Sequence, residues 1–388
     1  MNFLRKILDN LEPLFKKGGK FESLYPLYEA GDTFLYTPND KTKSAPFVRD
    51  HIDLKRTMIL VVMALMPCLL FGIYNVGHQY YHYVETAANA TMIDKILIGL
   101  QSVIPIYIVT FAVGGLTEVI FAIIRKHEVN EGFLVTGFLI PLVMPPSLPL
   151  WMVAISTIFG VVIGKEIFGG TGYNIFNPAL TARAFVFFAY PTTMSGDKVW
   201  ALEGMSGATP LLKVASQTGS NPQMLLGDYS WMDMFLGFIP GSIGETSTLC
   251  CLIGALFLIL TGIGSWRTML GVMIGMMSMT LIMNQFGQLI GSTNPMLYIA
   301  PHYHFVMGSF AFGMIFMATD PVSSSHTKKG MWYYGALIGV MCVLIRAINP
   351  AYPEGMMLAI LFANAFAPLF DYYVLEANVK RRKLRYGK

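Results

Sequence analysis

Ten apolar stretches, separated by polar segments, constrain this chain more than any other feature. A transmembrane helix needs about 20 apolar residues, and fewer where the helix is broken or re-entrant. The ten stretches cover residues 57–75, 96–124, 133–146, 149–165, 177–191, 248–263, 267–290, 303–319, 332–348 and 356–373. Only 13% of the 388 residues are charged and 54% are hydrophobic, whereas globular domains carry roughly 25% charged residues. The sequence therefore predicts an all-α polytopic membrane protein with about ten transmembrane helices.

The Lys and Arg residues set the expected orientation, because loops rich in them stay on the cytoplasmic side. They cluster at Lys55 and Arg56, Arg125 and Lys126, Lys165, Arg267, Lys328 and Lys329, and in the tail at Lys380, Arg381, Arg382, Lys383 and Arg385. The alternate loops hold little beyond Lys198 and Lys213. We therefore expect both termini in the cytoplasm and the long 192–247 loop on the outer face. The net charge of +4 follows from this topology and does not indicate a nucleic-acid partner.

This topology divides the chain into five segments. They are a cytoplasmic N-terminal arm (1–55), a first five-helix half (56–191), an outer loop (192–247), a second five-helix half (248–375) and a basic cytoplasmic tail (376–388). In the arm, residues 2–15 have apolar side chains at helical spacing, which indicates an amphipathic helix at the membrane surface or on a partner.

The two halves share weak sequence features, which favours an internal repeat. Trp151 and Trp332 each open an apolar stretch that is followed by Asn-Pro-Ala, and residues 114–118 resemble residues 241–245. Because each half has an odd number of helices, the second copy is inverted in the membrane. Inverted repeats place short or broken helices and ligand sites near the midplane.

The four cysteines, Cys68, Cys250, Cys251 and Cys342, lie within apolar runs and show no C-x-x-C spacing. We expect buried thiols that pack as small hydrophobic groups. A metal or iron–sulfur ligand shared with another subunit is the alternative. No metal site belonging to this chain alone is predicted.

The segment KEIFGGTGYNIFNPAL (165–180) interrupts the apolar sequence with glycines and amides. Gly169 and Gly170 give the backbone freedom, and Pro178 suits the first position of a helix. A helix N-terminus offers unpaired N–H groups to a ligand. Asn174 and Asn177 are costly at membrane depth unless their amides find partners, which favours a ligand site. A tight turn between two helices is the alternative.

Four acidic residues lie within or beside apolar stretches: Glu118, Glu245, Asp320 and Asp371. Ionisable groups in transmembrane helices often mark an ion or proton path, and carboxylates suit sodium because hard cations prefer oxygen ligands. Asp320 also fits an ordinary helix-capping turn, and Asp371 an interfacial position. Arg183 and Arg346 are candidate counterions.

Residues 203–211, EGMSGATPL, are mostly small side chains between two apolar parts of the chain. The central Ser206, Gly207, Ala208 and Thr209 include no acid or base that would make Thr209 a nucleophile. On its residues alone, Thr209 is an ordinary loop threonine. The aromatic run FVFFAY (185–190) is likewise typical of lipid-facing or core packing.

Together these motifs make the chain resemble the B subunits of bacterial sodium-translocating NADH:quinone reductases. The resemblance covers nearly the whole length. It rests on LYEAGDTFLYTP, VRDHIDLKR, VGGLTEV, RKHEVNEGF, KEIFGGTGYNIFNPAL, MSGAT, IPGSIGE, MATDPVS, the long segment from Gly339 to Asp371 and the basic end KRRKLRYGK.

The resemblance implies a role for each candidate residue. In that family the threonine of the S-G-A-T motif is esterified to the phosphate of FMN, which implies covalent FMN on Thr209 beside Ser206, Gly207 and Ala208. It implies non-covalent riboflavin near Asn174 and Asn177, with Gly169 and Gly170. It implies quinone contacts at Gly114, Gly115, Phe185 and Phe187, and a sodium path with Glu118, Asp320 and Asp371. No side chain acts as a nucleophile or general base. The chain departs from the family motif at Glu203, where Asp is usual, and at Leu212, where Ser or Thr is usual.

The resemblance also implies partners and a location. Electrons would pass from a partner flavin through FMN and riboflavin to quinone, coupled to Na⁺ export across the bacterial inner membrane. The partners would be the A, C, D, E and F subunits of a six-subunit complex, a flavin transferase for maturation, quinone and Na⁺. One alternative is the D subunit of an Rnf ferredoxin:NAD oxidoreductase, which also carries Thr-linked FMN. The other is an ion transporter without redox chemistry.

Overall fold

The structure is a computed structural model. It describes residues 2–16, 18–26, 28–29, 32, 54–83, 90–126, 132–196, 207–217, 229–349 and 353–387. Within these ranges every regular element is a helix and no strand occurs. Residues 203–206 of the outer-loop motif, which include Glu203 and Ser206, lie outside the described residues.

The helices follow the apolar stretches in order. They are α1 (Asn2–Phe15), α2 (Leu54–Tyr83), α3 (Met92–Arg125), α4 (Gly132–Leu142), α5 (Leu150–Gly164), α6 (Pro178–Ala189), α7 (Pro210–Ala215), α8 (Trp231–Leu236), α9 (Thr248–Leu260), α10 (Trp266–Ile290), α11 (Pro301–Val306), α12 (Phe310–Phe312, continued by a π-helical turn over Gly313–Met317), α13 (Gly330–Ile348) and α14 (Met356–Arg385). Single turns occur at Glu22–Leu24, Glu166–Phe168, Pro191–Met194 and Pro295–Tyr298.

The lengths of these helices confirm a multi-pass membrane protein. Among the described residues, six helices are long and apolar enough to cross a membrane, namely α2, α3, α5 with its following turn, α10, α13 and α14. Three apolar helices, α4, α6 and α9, are shorter. The 11 residues of α4 rise about 16 Å, roughly half the thickness of the hydrocarbon core. Nine of the ten predicted stretches contain one helix each.

The prediction of a single helix over 303–319 is wrong. The chain forms α11 and α12 there, with a break at 307–309. Gly308 takes a φ of +66°, which favours glycine because it has no Cβ. Arg346 stabilises the break, since its guanidinium donates to the carbonyls of His304 (2.9 Å) and Met307 (2.9 Å).

The helices of the two halves have partly equivalent neighbours. In the first half α2 packs on α4, α3 on α5, α4 on α6 and α5 on α6. In the second half α9 packs on α12, α10 on α13, α12 on α14 and α13 on α14. Trp151 and Trp332 lie at the start of α5 and α13, which occupy equivalent positions in this pattern. Residues 114–118 lie within α3, whereas residues 241–245 lie in the loop before α9, so these two similar segments do not occupy equivalent positions.

That loop, residues 239–246, is mostly buried and closes the open end of α4; we call it the buried loop. Its Ile243 and Gly244 N–H groups donate to the carbonyls of Met144 (3.1 Å) and Leu142 (2.8 Å). An added Cβ at Gly244 would lie 2.7 Å from the Leu142 side chain. The short α4 therefore depends on a distant segment to satisfy its last carbonyls, as apolar surroundings require.

The contact between α10 and α13 is built on facing glycines. Gly271 and Gly275 of α10 lie against Gly335 and Gly339 of α13. A Cβ at Gly339 would lie 2.2 Å from the Val272 carbonyl oxygen, and one at Gly275 would lie 2.3 Å from that of Ala336. Small residues four apart allow this approach of backbones in membrane helices.

We expect Gly339→Ala to lower the free energy of unfolding by about 1–3 kcal/mol, because the methyl group forces two backbones apart. The measurement is the thermal unfolding midpoint of the protein purified in detergent. The matched control is Gly115→Ala, a helical glycine whose added Cβ meets no atom within 4 Å. The control should be neutral or slightly stabilising, by up to about 1 kcal/mol. Equal midpoints for the two variants would contradict this account of the α10–α13 contact.

Candidate functional site

A cavity lies where the N-terminal ends of α2, α4 and α6 meet the C-terminal ends of α9 and α12. It contains about 820 Å³ of empty space, part of which is open solvent. Its lining includes Thr57, Met58, Gly132, Thr136, Lys165, Thr171, Asn174, Asn177, Leu258, Phe316 and Asp320. We call it the asparagine cavity. Both halves of the chain contribute to its wall.

The two predicted asparagines are held by local hydrogen bonds and both line this cavity. Asn177 caps α6, and its Oδ1 accepts from the N–H groups of Ala179 (3.0 Å) and Leu180 (3.3 Å). Asn174 Nδ2 donates to the Phe176 carbonyl (3.1 Å). When the side-chain amide of Asn364 is oriented so that both its oxygen and its nitrogen have hydrogen-bond partners, the oxygen accepts from the backbone N–H of Asn177 at 3.2 Å. The cap of α6 is thereby tied to α14.

One group in the cavity wall points to a ligand. The Thr171 hydroxyl oxygen is buried and has no hydrogen-bond partner among the described residues. An unsatisfied buried hydroxyl costs about 1–3 kcal/mol, and a bound polar molecule would remove that cost. The preceding Gly169 and Gly170 have positive φ values of 126° and 97°. The glycines therefore form the predicted turn, while the asparagines face the cavity.

A group of four charges, three of them buried, lies beside the cavity, and the sequence does not show which charges pair. Lys165 forms an ion pair with Glu118, and these side chains are 3% and 4% exposed. Arg125 pairs with Glu166 at 3.0 Å and also binds its carbonyl. The interpretation of Lys165 as a marker of orientation is incomplete, because the side chain is buried within the bundle. The only feature of the sequence that draws attention to Lys165 is its position next to a glycine turn.

The three acids of the predicted ion path have different surroundings. Asp320 lines the asparagine cavity, and its carboxylate accepts from the Ser323 hydroxyl (2.6 Å) and the Val322 N–H (3.3 Å). Burial raises the pKa of Asp320, although the hydrogen bond from Ser323 lowers it.

Asp371 instead anchors the loop before α13. Its carboxylate accepts from the Ser325 hydroxyl (2.7 Å), the His326 N–H (2.8 Å), and both the N–H (2.8 Å) and hydroxyl (2.6 Å) of Thr327. Of the three acids, only Asp320 lines the asparagine cavity, and Glu118 contacts it through Lys165.

A second cavity of about 370 Å³ lies next to Thr209; we call it the threonine cavity. It is lined by Thr209, Pro210, Leu211, Ile239, Pro240, Gly241, Ser242, Glu245, Thr246, Gly308, Ser309 and Glu354. Thr209 caps α7, its Oγ1 accepting from the Leu212 N–H (3.4 Å), and its own N–H donates to the Gly196 carbonyl (3.0 Å). Gly207 is buried and Ala208 is half-buried. The Thr246 hydroxyl in the wall is buried without a hydrogen-bond partner among the described residues.

Two arginines hold the wall of the threonine cavity. Arg183 binds the carboxylates of Glu245 (2.7 Å) and Glu354 (2.5 Å) and the Val143 carbonyl (2.7 Å). Arg183 is therefore a counterion, as predicted. The same prediction for Arg346 is wrong, because this side chain binds the carbonyls of His304, Met307 and Glu354 rather than a predicted acid.

The two cavities lie at opposite ends of the same helices. Thr246 precedes α9 and Leu258 is near its end, while Ser309 precedes α12 and Asp320 follows it. The 13 residues of α9 separate the cavities by about 20 Å.

The four positions predicted to contact quinone belong to different packing groups. An added Cβ at Gly114 would lie 2.2 Å from the Phe133 ring, whereas Gly115 has open space. Phe185 stacks on Phe159 with centroids 4.4 Å apart, and Phe187 contacts Phe188 at 5.3 Å. Gly114 is thus a packing glycine, and the structure does not join it to the two phenylalanines.

The cysteines are buried, except Cys250, which is half-buried. Cys68 and Cys251 place their Sγ atoms 3.8 Å apart between α2 and α9. Among the described residues, no group of three or more His, Cys, Asp or Glu side chains is arranged to hold a metal ion.

The fold and these cavities define a multi-pass membrane protein with two candidate ligand cavities near opposite ends of its helices. The model of the NQR2, RnfD, RnfE family matches residues 41–380, so the chain belongs to this family. The B subunit of the Na(+)-translocating NADH-quinone reductase of Klebsiella pneumoniae (strain 342) is 54% identical, over 98% of this chain and 99% of the relative. The protein of the same name from Yersinia pestis is 52% identical, over 98% of this chain and 99% of the relative. The one from Pseudomonas aeruginosa (PAO1) is also 52% identical, over 99% of this chain and 100% of the relative.

We expect Arg183→Met to lower the free energy of unfolding by about 3–5 kcal/mol, because the largely buried carboxylate of Glu245 and the half-buried carboxylate of Glu354 lose their shared cation. Unfolding of the purified protein followed by heat or denaturant measures this loss. The added substitution Glu245→Gln should recover part of it by removing one unpaired charge. The control Arg381→Met, at an exposed arginine of α14, should stay within about 0.5 kcal/mol of the native protein. A double variant no more stable than Arg183→Met would contradict the charge argument.

Proposed function

We propose that the chain is a membrane subunit of a Na⁺-pumping NADH:quinone reductase, which passes electrons from a partner flavin through covalent FMN and riboflavin to quinone, coupled to Na⁺ export. The names of its full-length relatives support this function over that of a ferredoxin:NAD oxidoreductase component. The observation that carries the proposal is the position of Thr209 at one cavity and of Asn174 and Asn177 at another.

Thr209 is the proposed attachment point of FMN. The residues are compatible with this role, because Gly207 and Ala208 are small and a cavity with an unsatisfied Thr246 hydroxyl lies beside Thr209. The departure at Leu212 matters little to the local geometry, since the Thr209 oxygen accepts from the Leu212 backbone rather than its side chain. Flavins supply the redox chemistry in such proteins, while the protein supplies position and electrostatics.

The asparagine cavity is the proposed site of riboflavin. A small-molecule site combines apolar walls with a few convergent polar groups, and this cavity offers Asn174, Asn177, Thr171, Lys165 and Asp320. The Nδ2 of Asn177 donates to a ligand while its Oδ1 caps α6. Gly169 and Gly170 shape the turn that carries these side chains rather than the wall itself.

The proposed location is the bacterial inner membrane, with both termini in the cytoplasm and the Thr209 loop on the periplasmic side. The distribution of Lys and Arg supports this orientation. The asparagine cavity then opens near the cytoplasmic face and the threonine cavity near the outer face. The partners are the other subunits of the complex, a flavin transferase, quinone and Na⁺. The inverted relation of the halves, the segment boundaries, the quinone contacts and the sodium path stay predictions.

We expect Thr209→Val to abolish covalent flavin, because the phosphoester needs the hydroxyl oxygen. The protein from its native host, run on a denaturing gel, should lose the yellow fluorescence of the band. Thr246→Val is the matched control, since it removes a hydroxyl from the same cavity without removing the attachment point. Fluorescence retained in Thr209→Val, or a native band without any, would overturn the assignment, and a colourless complex would favour a transporter without redox chemistry.

We expect Asn177→Ala to release non-covalent riboflavin while the covalent flavin stays. The substitution also removes a helix cap worth about 1 kcal/mol, so Asn177→Asp is the control. Aspartate keeps the capping oxygen but has no amide donor. Loss of extractable riboflavin in both variants supports a ligand contact, whereas loss in Asn177→Ala alone assigns the residue only to capping.

A further inference from the structure

Thr246 is a buried residue in the wall of the threonine cavity, and its hydroxyl group has no use in the fold. The side chain is 4% exposed, and its Oγ1 has no hydrogen-bond partner within the described part of the chain. A threonine just before a helix often caps that helix. Here the next residue, Ser247, caps α9 instead, and its Oγ accepts from the Cys250 N–H at 3.3 Å. The Thr246 hydroxyl is therefore not needed to start α9.

A buried hydroxyl without a partner destabilises the fold, because it has lost its hydrogen bonds to water. Among the residues that the structure describes, three threonines have such a hydroxyl: Thr110, Thr171 and Thr246. Thr171 lines the asparagine cavity and Thr246 the threonine cavity, whereas Thr110 lies within α3 and lines neither. An occupant of the threonine cavity is thus a partner that the fold does not supply to Thr246, and Thr110 offers a reference residue without a cavity.

The charges in the wall decide which part of an FMN molecule fits beside Thr246. The phosphate end belongs at Thr209, the proposed attachment point. The described lining of the cavity contains the carboxylates of Glu245 and Glu354 but no lysine or arginine. Because like charges repel, a phosphate is disfavoured next to these carboxylates. The uncharged isoalloxazine ring is the part of FMN that suits the side of the cavity formed by Glu245 and Thr246.

We propose that the Thr246 hydroxyl donates a hydrogen bond to a carbonyl oxygen of the isoalloxazine ring of the FMN on Thr209, and that this bond raises the reduction potential of the flavin. This inference rests on the proposed function, which puts FMN on Thr209. A threonine hydroxyl has one donor, and the ring has two carbonyl oxygens. Reduction adds negative charge to the ring, and a hydrogen bond to a charged acceptor is stronger than one to a neutral acceptor. Thr246 is thus a positioning residue that favours the reduced flavin.

The first measurement is the midpoint potential of the covalent FMN in the whole purified complex. The difference between the titrations of a complex with and without Thr209→Val isolates this flavin from any other. In Thr246→Val, reduction should become less favourable by on the order of tenfold. This change lowers the potential by about 59 mV for a one-electron step and by about 30 mV for a two-electron step. Thr246→Ser keeps a hydroxyl and should retain most of the native potential.

The infrared carbonyl bands of the flavin report the hydrogen bond directly. In the redox-difference spectrum of Thr246→Val, one carbonyl stretch should move to higher frequency, because the C=O bond strengthens when it no longer accepts a hydrogen bond. In Thr246→Ser this band should stay near its native position. The comparison needs no Thr209→Val variant, so it decides the question even where that variant does not assemble.

The second measurement separates a ligand contact from a structural role by the sign of a stability change. Thr246→Val should lower the thermal unfolding midpoint of the complex that carries FMN, because a hydrogen bond is lost. In the Thr209→Val background it should raise the midpoint, because the hydroxyl there has no partner. Thr110→Val is the matched control. It removes an equally buried hydroxyl that lines neither cavity, so it should raise the midpoint in both backgrounds and leave the flavin potential unchanged.

Three outcomes would overturn this inference while covalent flavin is present in the native complex. They are an unchanged potential and carbonyl band in Thr246→Val, a stability change of the same sign in both backgrounds, and a Thr246→Val chain that does not fold. In the last two cases the hydroxyl serves the protein rather than the flavin. A native complex without covalent flavin overturns the proposed function instead.

Discussion

Broken helices in an apolar bundle depend on buried guanidinium groups. Where a helix ends inside the membrane, its carbonyls need donors that lipid does not provide. Arg183 donates a hydrogen bond to the carbonyl of Val143 after α4. Arg346 donates to two carbonyls at the break between α11 and α12. Glu354 joins the two, since its carboxylate binds Arg183 and its carbonyl binds Arg346. The threonine cavity exists because these contacts stabilise irregular backbone there.

The same principle explains why charge gathers around both cavities. A cavity with polar walls costs free energy in apolar surroundings unless the polar groups pair with one another. Around the threonine cavity, Arg183 pairs with Glu245 and Glu354. Beside the asparagine cavity, Lys165 pairs with Glu118. The two cations differ in form, because Arg183 is a planar fork with three partners, whereas Lys165 carries a compact charge on a four-carbon stem.

The sequence predicted the long helices but not the pairing of charges. Apolar length identified every long helix, and glycine with asparagine at 165–180 indicated the site that Asn174 and Asn177 line. Lys165 and Glu118 are 47 positions apart, and only the packing of α3 on α5 brings them together. The prediction of Arg346 as a counterion failed because sequence does not show that a neighbouring helix is broken. The broken eighth helix had one weak signal, Gly308.

The helices α9 and α12 connect the two cavities physically. Each has one end at the threonine cavity and the other at the asparagine cavity. The π-helical turn Gly313–Met317 lies within α12 between those ends, and such rare turns are frequently found at functional sites. Coupling between distant sites requires an element with two arrangements that both sites bias. The π-helical turn therefore places an irregular hydrogen-bond register on the segment that connects Ser309 at one cavity to Asp320 at the other.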